Sequence, residues 1–318
     1  MPPPSQIIVR EGRLYHLGIT PEDVAPTVFL VGDPARAYKV AARFEAIERE
    51  VAHREYVTLS GAIQGLPMTV VGTGIGTDNV EIALVELHAA WALDLDTRLP
   101  RAGRGSLDII RIGTSGAVQP DVPAGSLCVA EYALGLDSTG LYYEAPPADD
   151  VVVAIEREAQ RLLDSAVGSR SRFSGRIRTY ASRADARIHR ALARQAAGRE
   201  TVSASGITVS APGFFGPSSR FIEGLVNTVP DIKTTLAELE VAGRRVLNME
   251  MESSLLFHLA GALGHRAGTV CVAIGQRKTS HGVVDYGASI EAAIDVAVAA
   301  AVELRLEGGG APSAAGSP

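Results

Sequence analysis

The residues of this chain best suited to chemistry are arginines set at glycine-containing turns. Gly32-Asp33-Pro34-Ala35-Arg36 directly follows the apolar run Val28-Phe29-Leu30-Val31. A strand ending in such a turn places backbone N–H groups and a guanidinium at the carboxyl edge of a sheet, where open α/β folds bind ligands. Glycine lets the backbone approach an anion closely, and arginine offers a fork that matches phosphate. Arg111-Ile112-Gly113-Thr114-Ser115-Gly116 repeats the arrangement, with hydroxyls and free backbone donors for phosphate oxygens. Arg111 ends an apolar run, so it needs a buried partner. A third arginine stands in His53-Arg54-Glu55-Tyr56, and Phe214-Phe215-Gly216-Pro217-Ser218-Ser219-Arg220 joins aromatic faces to a cation. Asn248-Met249-Glu250-Met251-Glu252-Ser253 brings two carboxylates together. A glutamate can accept from both hydroxyls of a diol, which is how proteins hold ribose.

Taken singly, each segment has an ordinary structural reading. Arg36 and Arg54 suit surface ion pairs, Glu250 and Glu252 suit the first turn of a helix, and Phe214 and Phe215 suit a core. Gly72-Thr73-Gly74-Ile75-Gly76 suggests a dinucleotide loop. Its Gly-x-Gly-x-Gly spacing, and the lack of an acid ending a following strand, count against that.

The elements that must position these residues alternate. Apolar runs at 28–31, 68–71, 107–112, 127–134, 202–209 and 269–274 predict strands. Helical patterns fall at 77–93 (with Asp78 as N-cap), 150–167, 182–197, 250–263 and 289–306. This order predicts an α/β fold: one domain over residues 1–307, three layers α/β/α, with a mixed, largely parallel central sheet. Residues 94–106 read as a polar loop with solvated arginines, and the Gly/Ala/Pro/Ser-rich tail 308–318 as disordered. The 318 residues are 46% hydrophobic and 21% charged, an ordinary globular balance that supports a large core. A net charge of -6 gives no reason to expect a nucleic-acid partner, so any anion site is a local basic pocket. Cys128 and Cys271 lie in apolar runs and read as buried thiols, with no metal-ligand spacing to the histidines. No signal-peptide pattern opens the chain and no apolar run is long enough to span a bilayer, so the expected location is cytoplasmic.

Together the motifs resemble the nucleoside phosphorylase-I family, and within it the uridine phosphorylases. Tyr15-His16-Leu17-Gly18, the Gly32–Arg36 turn, His53–Tyr56, Thr73–Gly76, Arg111–Gly116 and Asn248–Ser253 occur in the family's order, over nearly the whole chain. The resemblance implies phosphate contacts from Gly32, Arg36, Arg111 and Thr114, with Arg54 donated by a neighbouring subunit. It implies that His16, also from the neighbour, holds the ribose 5′-hydroxyl, while Met251 and Glu252 pack on and hydrogen-bond the sugar with Glu250 beside them. Phe214 and Arg220 match base-site positions, as does Arg277. Ser218 stands where the uridine enzymes carry a glutamine. Glutamine offers a donor and an acceptor to one pyrimidine edge and serine does not, so the accepted base is the least determined feature.

The implied reaction is phosphate-dependent cleavage of an N-glycosidic bond, giving free base and pentose 1-phosphate. Nucleoside and inorganic phosphate are the substrates, no cofactor or metal is needed, and the expected assembly is a homo-oligomer, a hexamer built from dimers. Arg111, Glu252 and Arg220 are the expected catalytic groups. The alternatives are a purine or modified-nucleoside phosphorylase, a nucleosidase, and a non-catalytic nucleoside binder. A nucleosidase has no need of three phosphate arginines. The acid with which purine enzymes protonate their leaving group is not found at 273–277, and Asp285 lies farther on.

Overall fold

A computed structural model describes residues 3–275 and 286–308. Its elements, in chain order, are β1 (Val9–Arg10), β2 (Arg13–Leu14), β3 (Thr27–Val31), α1 (Pro34–Ala41), β4 (Ile47–His53), β5 (Tyr56–Ile63), β6 (Leu66–Gly72), α2 (Thr77–Ala92), β7 (Asp108–Ala117), β8 (Leu127–Gly135), α3 (Asp150–Ala166), β9 (Tyr180–Arg183), α4 (Ala186–Ala197), β10 (Ser203–Ser210), α5 (Ile232–Ala237), β11 (Glu240–Val241), β12 (Arg244–Glu250), α6 (Ser253–Ala262), β13 (Arg266–Ala273) and α7 (Gly287–Glu307). All six expected strands and the five expected helices are present, in an α/β architecture.

Eleven strands form one mixed sheet. Parallel pairings link β6, β3, β7 and β13, and separately β8, β10 and β12. Antiparallel pairings join β13 to β8 and β12 to β7. Strands β7, β13, β8, β10 and β12 therefore close into a ring, and β3, β6, β5 and β4 extend from it as an open wing. Period-two alternation sends β3 residues to opposite faces. Phe29 and Val31 join α1, α4 and α7 on one side, while Val28 and Leu30 join α2 and α6 on the other. A third cluster packs α3 and α5 over β10 and β12. Strands buried on both faces read as unbroken apolar runs, which is why β3 was visible in the sequence.

Three boundaries differ from expectation. The helix expected from residue 250 starts at Ser253, because Glu250 still belongs to β12. Residues 180–183 pair with β8, which delays α4 to Ala186, capped by Asp185. Gly76, not Asp78, occupies the N-cap of α2. In the 94–106 loop Arg104 is not simply solvated. It stacks 4.5 Å over Trp91, whose indole N–H donates to the Gly105 carbonyl at 2.6 Å. Both cysteines are buried free thiols, facing each other across the β8–β13 register. No helix among the described residues is long and apolar enough to cross a membrane.

Candidate active site

The carboxyl ends of β3, β7 and β12 and the amino ends of α1, α2 and α6 meet at one place. The Gly-Asp-Pro-Ala-Arg segment folds as a helix start. Asp33 caps α1 by accepting from Ala35 N at 2.9 Å, and Pro34 takes the first helical position, where a missing N–H costs nothing. This turn aims Arg36 into the sheet edge, where Nη1 donates to the Ile112 carbonyl at 3.2 Å. Burial, then proximity to Arg111, lowers the Arg36 pKa. Two guanidiniums held this close repel, so the pocket favours an anion between them.

Arg111 is the hub. Its Nη1 lies 3.1 Å from Glu250 Oε2 and donates to Cys271 Sγ at 3.3 Å, and its Nη2 donates to Glu252 Oε2. Side-chain exposures are 5% for Arg111, 1% for Glu250 and 4% for Glu252, so the buried cation finds the partner its strand position demanded. Burial works against the Arg111 charge, but Glu252 and Glu250 outweigh it and raise its pKa. Burial pushes the Glu252 carboxyl up to about 6; Arg111 opposes the rise and Glu250 adds to it.

The two glutamates have different surroundings. Glu250 accepts from Ser210 Oγ at 2.5 Å, from Glu252 N at 3.1 Å and from Ser253 N at 3.0 Å, so both its oxygens hold the 250–253 bend in shape. Glu252 accepts from Gly76 N at 3.0 Å. That glycine has φ +102°, and Gly74 before it has φ +78°. A Cβ on Gly74 would stand 2.6 Å from Asn79 Nδ2. The glycine-rich loop that mimicked a dinucleotide motif is thus shaped to give a backbone donor to Glu252. Asp137, deeply buried, braces this region. It accepts from Tyr180 Oη at 2.8 Å, Ser254 Oγ at 3.0 Å and Thr139 N at 2.9 Å. Gly32 and the half-buried Thr114 line the turns beside Arg36 and Arg111, and Met251 stands between the two glutamates.

The expected base-site residues sit on an exposed loop. Arg220 stacks 4.5 Å over Phe214, which is itself edge-on to Phe215 at 5.2 Å. Phe214 is 55% exposed, not core. Ser218 Oγ donates to the Phe214 carbonyl, so its hydroxyl is engaged by its own loop. Arg277 lies outside the described residues.

His16 and Arg54 form a separate cluster. Arg54 occupies the β4–β5 turn with φ +53° and stacks 4.5 Å over Tyr15. His53 Nδ1 donates to the His16 carbonyl at 2.8 Å. Among the described residues no hydrogen bond or ion pair joins His16 or Arg54 to Arg36, Arg111 or Glu252. Helix α2 sets the separation. Gly76 at its start holds Glu252, while Glu86, ten residues on, holds His16 Nδ1 at 2.8 Å. Ten helical residues span about 15 Å. Glu86 was not singled out from the sequence. The available signal was a lone carboxylate beside Ala83, Leu87 and Ala90, on the apolar face of the helix.

Residues 26–305 match the family model described as the phosphorylase superfamily. The chain belongs to the phosphorylase superfamily. It is 30% identical over 300 residues to a uridine phosphorylase of Thermococcus kodakarensis, covering 93% of this chain and 88% of that protein. It is 27% identical over 266 residues to the Escherichia coli uridine phosphorylase, covering 83% of this chain and 86% of that one. Among solved structures it resembles a Trypanosoma brucei nucleoside phosphorylase described as showing uridine phosphorylase activity. The TM-score is 0.81 at 27% identity, over 94% of this chain and all of that one. Within a phosphorylase superfamily member, the paired Arg36 and Arg111 beside Glu252 are the groups to examine for phosphorolysis.

Proposed function

We propose that the protein cleaves a uridine-like nucleoside by phosphorolysis, giving the base and a pentose 1-phosphate in the cytoplasm. The observation that carries this reading is the contact of Arg111 with both Glu250 and Glu252 beside the buried Arg36. One face of that cluster is cationic and suits phosphate; the other is a carboxylate that suits sugar hydroxyls. As the glycosidic bond breaks, positive charge builds on the ribose ring and negative charge on the base. Phosphate held by Arg36, Arg111, Gly32 and Thr114 stabilises the ring and then bonds to C1′. Glu252 fixes the hydroxyls so that the encounter becomes a near-attack geometry. Arg220 stabilises charge on a departing pyrimidine carbonyl. Glu250 positions Glu252. Base release from uridine should require inorganic phosphate; equal release in phosphate-free buffer would favour a hydrolase.

Ionised Glu252 is the form that accepts from hydroxyls. Its carboxyl is held near 6, and a bound phosphate dianion would move it further up. At saturating phosphate, kcat/KM for uridine is therefore expected to fall by about tenfold per pH unit as the pH drops below that value. A flat profile from pH 7 to pH 5 would remove the ionised carboxylate from the reaction.

The separation of His16 and Arg54 from Glu252 supports a site completed by a second copy of the chain, in a hexamer of three dimers. Arg54 lines a groove of about 510 Å³ with Arg10, Arg13, Tyr15 and His53, and the His16 carbonyl accepts from that His53. The double variant His16→Ala/Arg54→Ala and the variant Glu252→Ala should each be inactive alone. Mixed under conditions of subunit exchange, they should regain activity through sites that combine the two intact halves. No recovery after demonstrated exchange would place all the groups in one subunit.

A further inference from the structure

Glu86 is a buried carboxylate that the reaction as described does not use. Both its oxygens point at one short segment. Oε1 accepts from His16 N at 2.9 Å and lies 2.8 Å from His16 Nδ1, and Oε2 accepts from Leu17 N at 2.8 Å. The imidazole also packs edge-on against Tyr15 at 4.9 Å, and the backbone carbonyl of His16 accepts from His53 Nδ1 at 2.8 Å. Side-chain exposure is 8% for Glu86 and 30% for His16, so the anchor is inside and part of the ring is outside.

Both Glu86 oxygens accept backbone N–H groups, and a carboxylate in that role only accepts. His16 Nδ1 then carries the proton, and the imidazole tautomer with its proton there has Nε2 as its acceptor. A hydrogen bond at one ring nitrogen fixes the role of the other in this way. An acceptor that leaves its own subunit selects a ligand group with a proton to give.

We propose that Glu86 is a positioning residue for substrate selection across the subunit interface. It holds His16 with Nε2 turned outward as an acceptor, so that the partner's site reads a nucleoside by the proton of its 5′-hydroxyl. The inference rests on the two-subunit site proposed above. It assigns to this chain a preference for free 5′-hydroxyl nucleosides over 5′-deoxy analogues, set by a residue that never touches the substrate.

The test compares kcat/KM for uridine and 5′-deoxyuridine in the wild type, His16→Ala and Glu86→Gln. A glutamine has one carbonyl oxygen for three N–H donors, so the grip on Nδ1 is lost or shared. The uridine-to-5′-deoxyuridine ratio is expected to drop by about tenfold in both variants, the loss of roughly one hydrogen bond to a fixed acceptor. A purely structural lesion would lower both substrates alike and keep the ratio, which would overturn the proposal. If the ratio falls in His16→Ala but not in Glu86→Gln, Glu86 is not the positioning group although His16 still reads the 5′ position. If it falls in neither, the role of His16 fails as well. A second measurement needs no Glu86 variant. In ¹⁵N-histidine-labelled protein, with the His16 signals identified by their loss in His16→Ala, Nδ1 should bear the proton. A ring protonated at Nε2, whether neutral or as the imidazolium, would overturn the proposal even if Glu86→Gln does not fold.

Discussion

Replacing Arg111 by alanine is expected to cost both activity and stability, which few active-site substitutions do. The change leaves two carboxylates, Glu250 and Glu252, buried without their cation. Removing one partner of a buried ion pair destabilises by about 3–5 kcal/mol. For a chain of this length that is a fall in apparent Tm of roughly 5–10 °C. The penalty should shrink in acid, because a protonated carboxyl buries at lower cost than a carboxylate. Activity should fall by on the order of 10³, as when a preorganised charge aimed at a developing one is removed. Arg111→Lys separates the two effects. An ammonium restores a positive charge and much of the Tm, but it lacks the planar fork that meets the two carboxylates and, in the proposed reaction, the phosphate. Calorimetry at pH 5 and pH 8, with kcat/KM for both substrates, would check this. An Arg111→Ala protein with unchanged Tm would mean that the carboxylates find another partner.

Glu252→Ala should behave differently. Arg111 keeps Glu250, and the carboxylate removed is one whose burial opposes its charge. The expected stability change is small, while kcat/KM for uridine falls by on the order of 10²–10³ through lost orientation of the ribose in the transition state. Glu252→Gln keeps an acceptor for Gly76 N and should fold like the wild type while remaining strongly impaired. Turnover close to normal on ribonucleosides would reduce Glu252 to an acid at a helix start.

Much of this arrangement could be read from the sequence, for physical reasons. Strands β3, β7 and β13 are buried on both faces, so their apolar runs are continuous, and Arg111 stood out as a charge at the end of one of them. Strand β4 could not be read that way, because Ile47–His53 is largely exposed and carries charges along its length. The helical pattern of 250–263 takes in Glu250, which the structure gives to the end of β12. Pairing of β12 with both β10 and β7 overrides that pattern. The roles of Glu250 and Glu86 depend on which backbone N–H groups their oxygens meet. Those partners lie in a following bend and 70 residues away respectively, and local pattern carries neither. The same holds for Ser218, whose hydroxyl turned out to serve its own loop.

Phosphorolysis is tested most directly by following the phosphate oxygens into the sugar product. Uridine turned over with phosphate carrying ¹⁸O at all four positions should give, by mass spectrometry, a pentose 1-phosphate that retains all four labels, in amounts equal to the uracil released. Free pentose matching the uracil, with the phosphate pool left unconsumed, would contradict it and assign the bond cleavage to water.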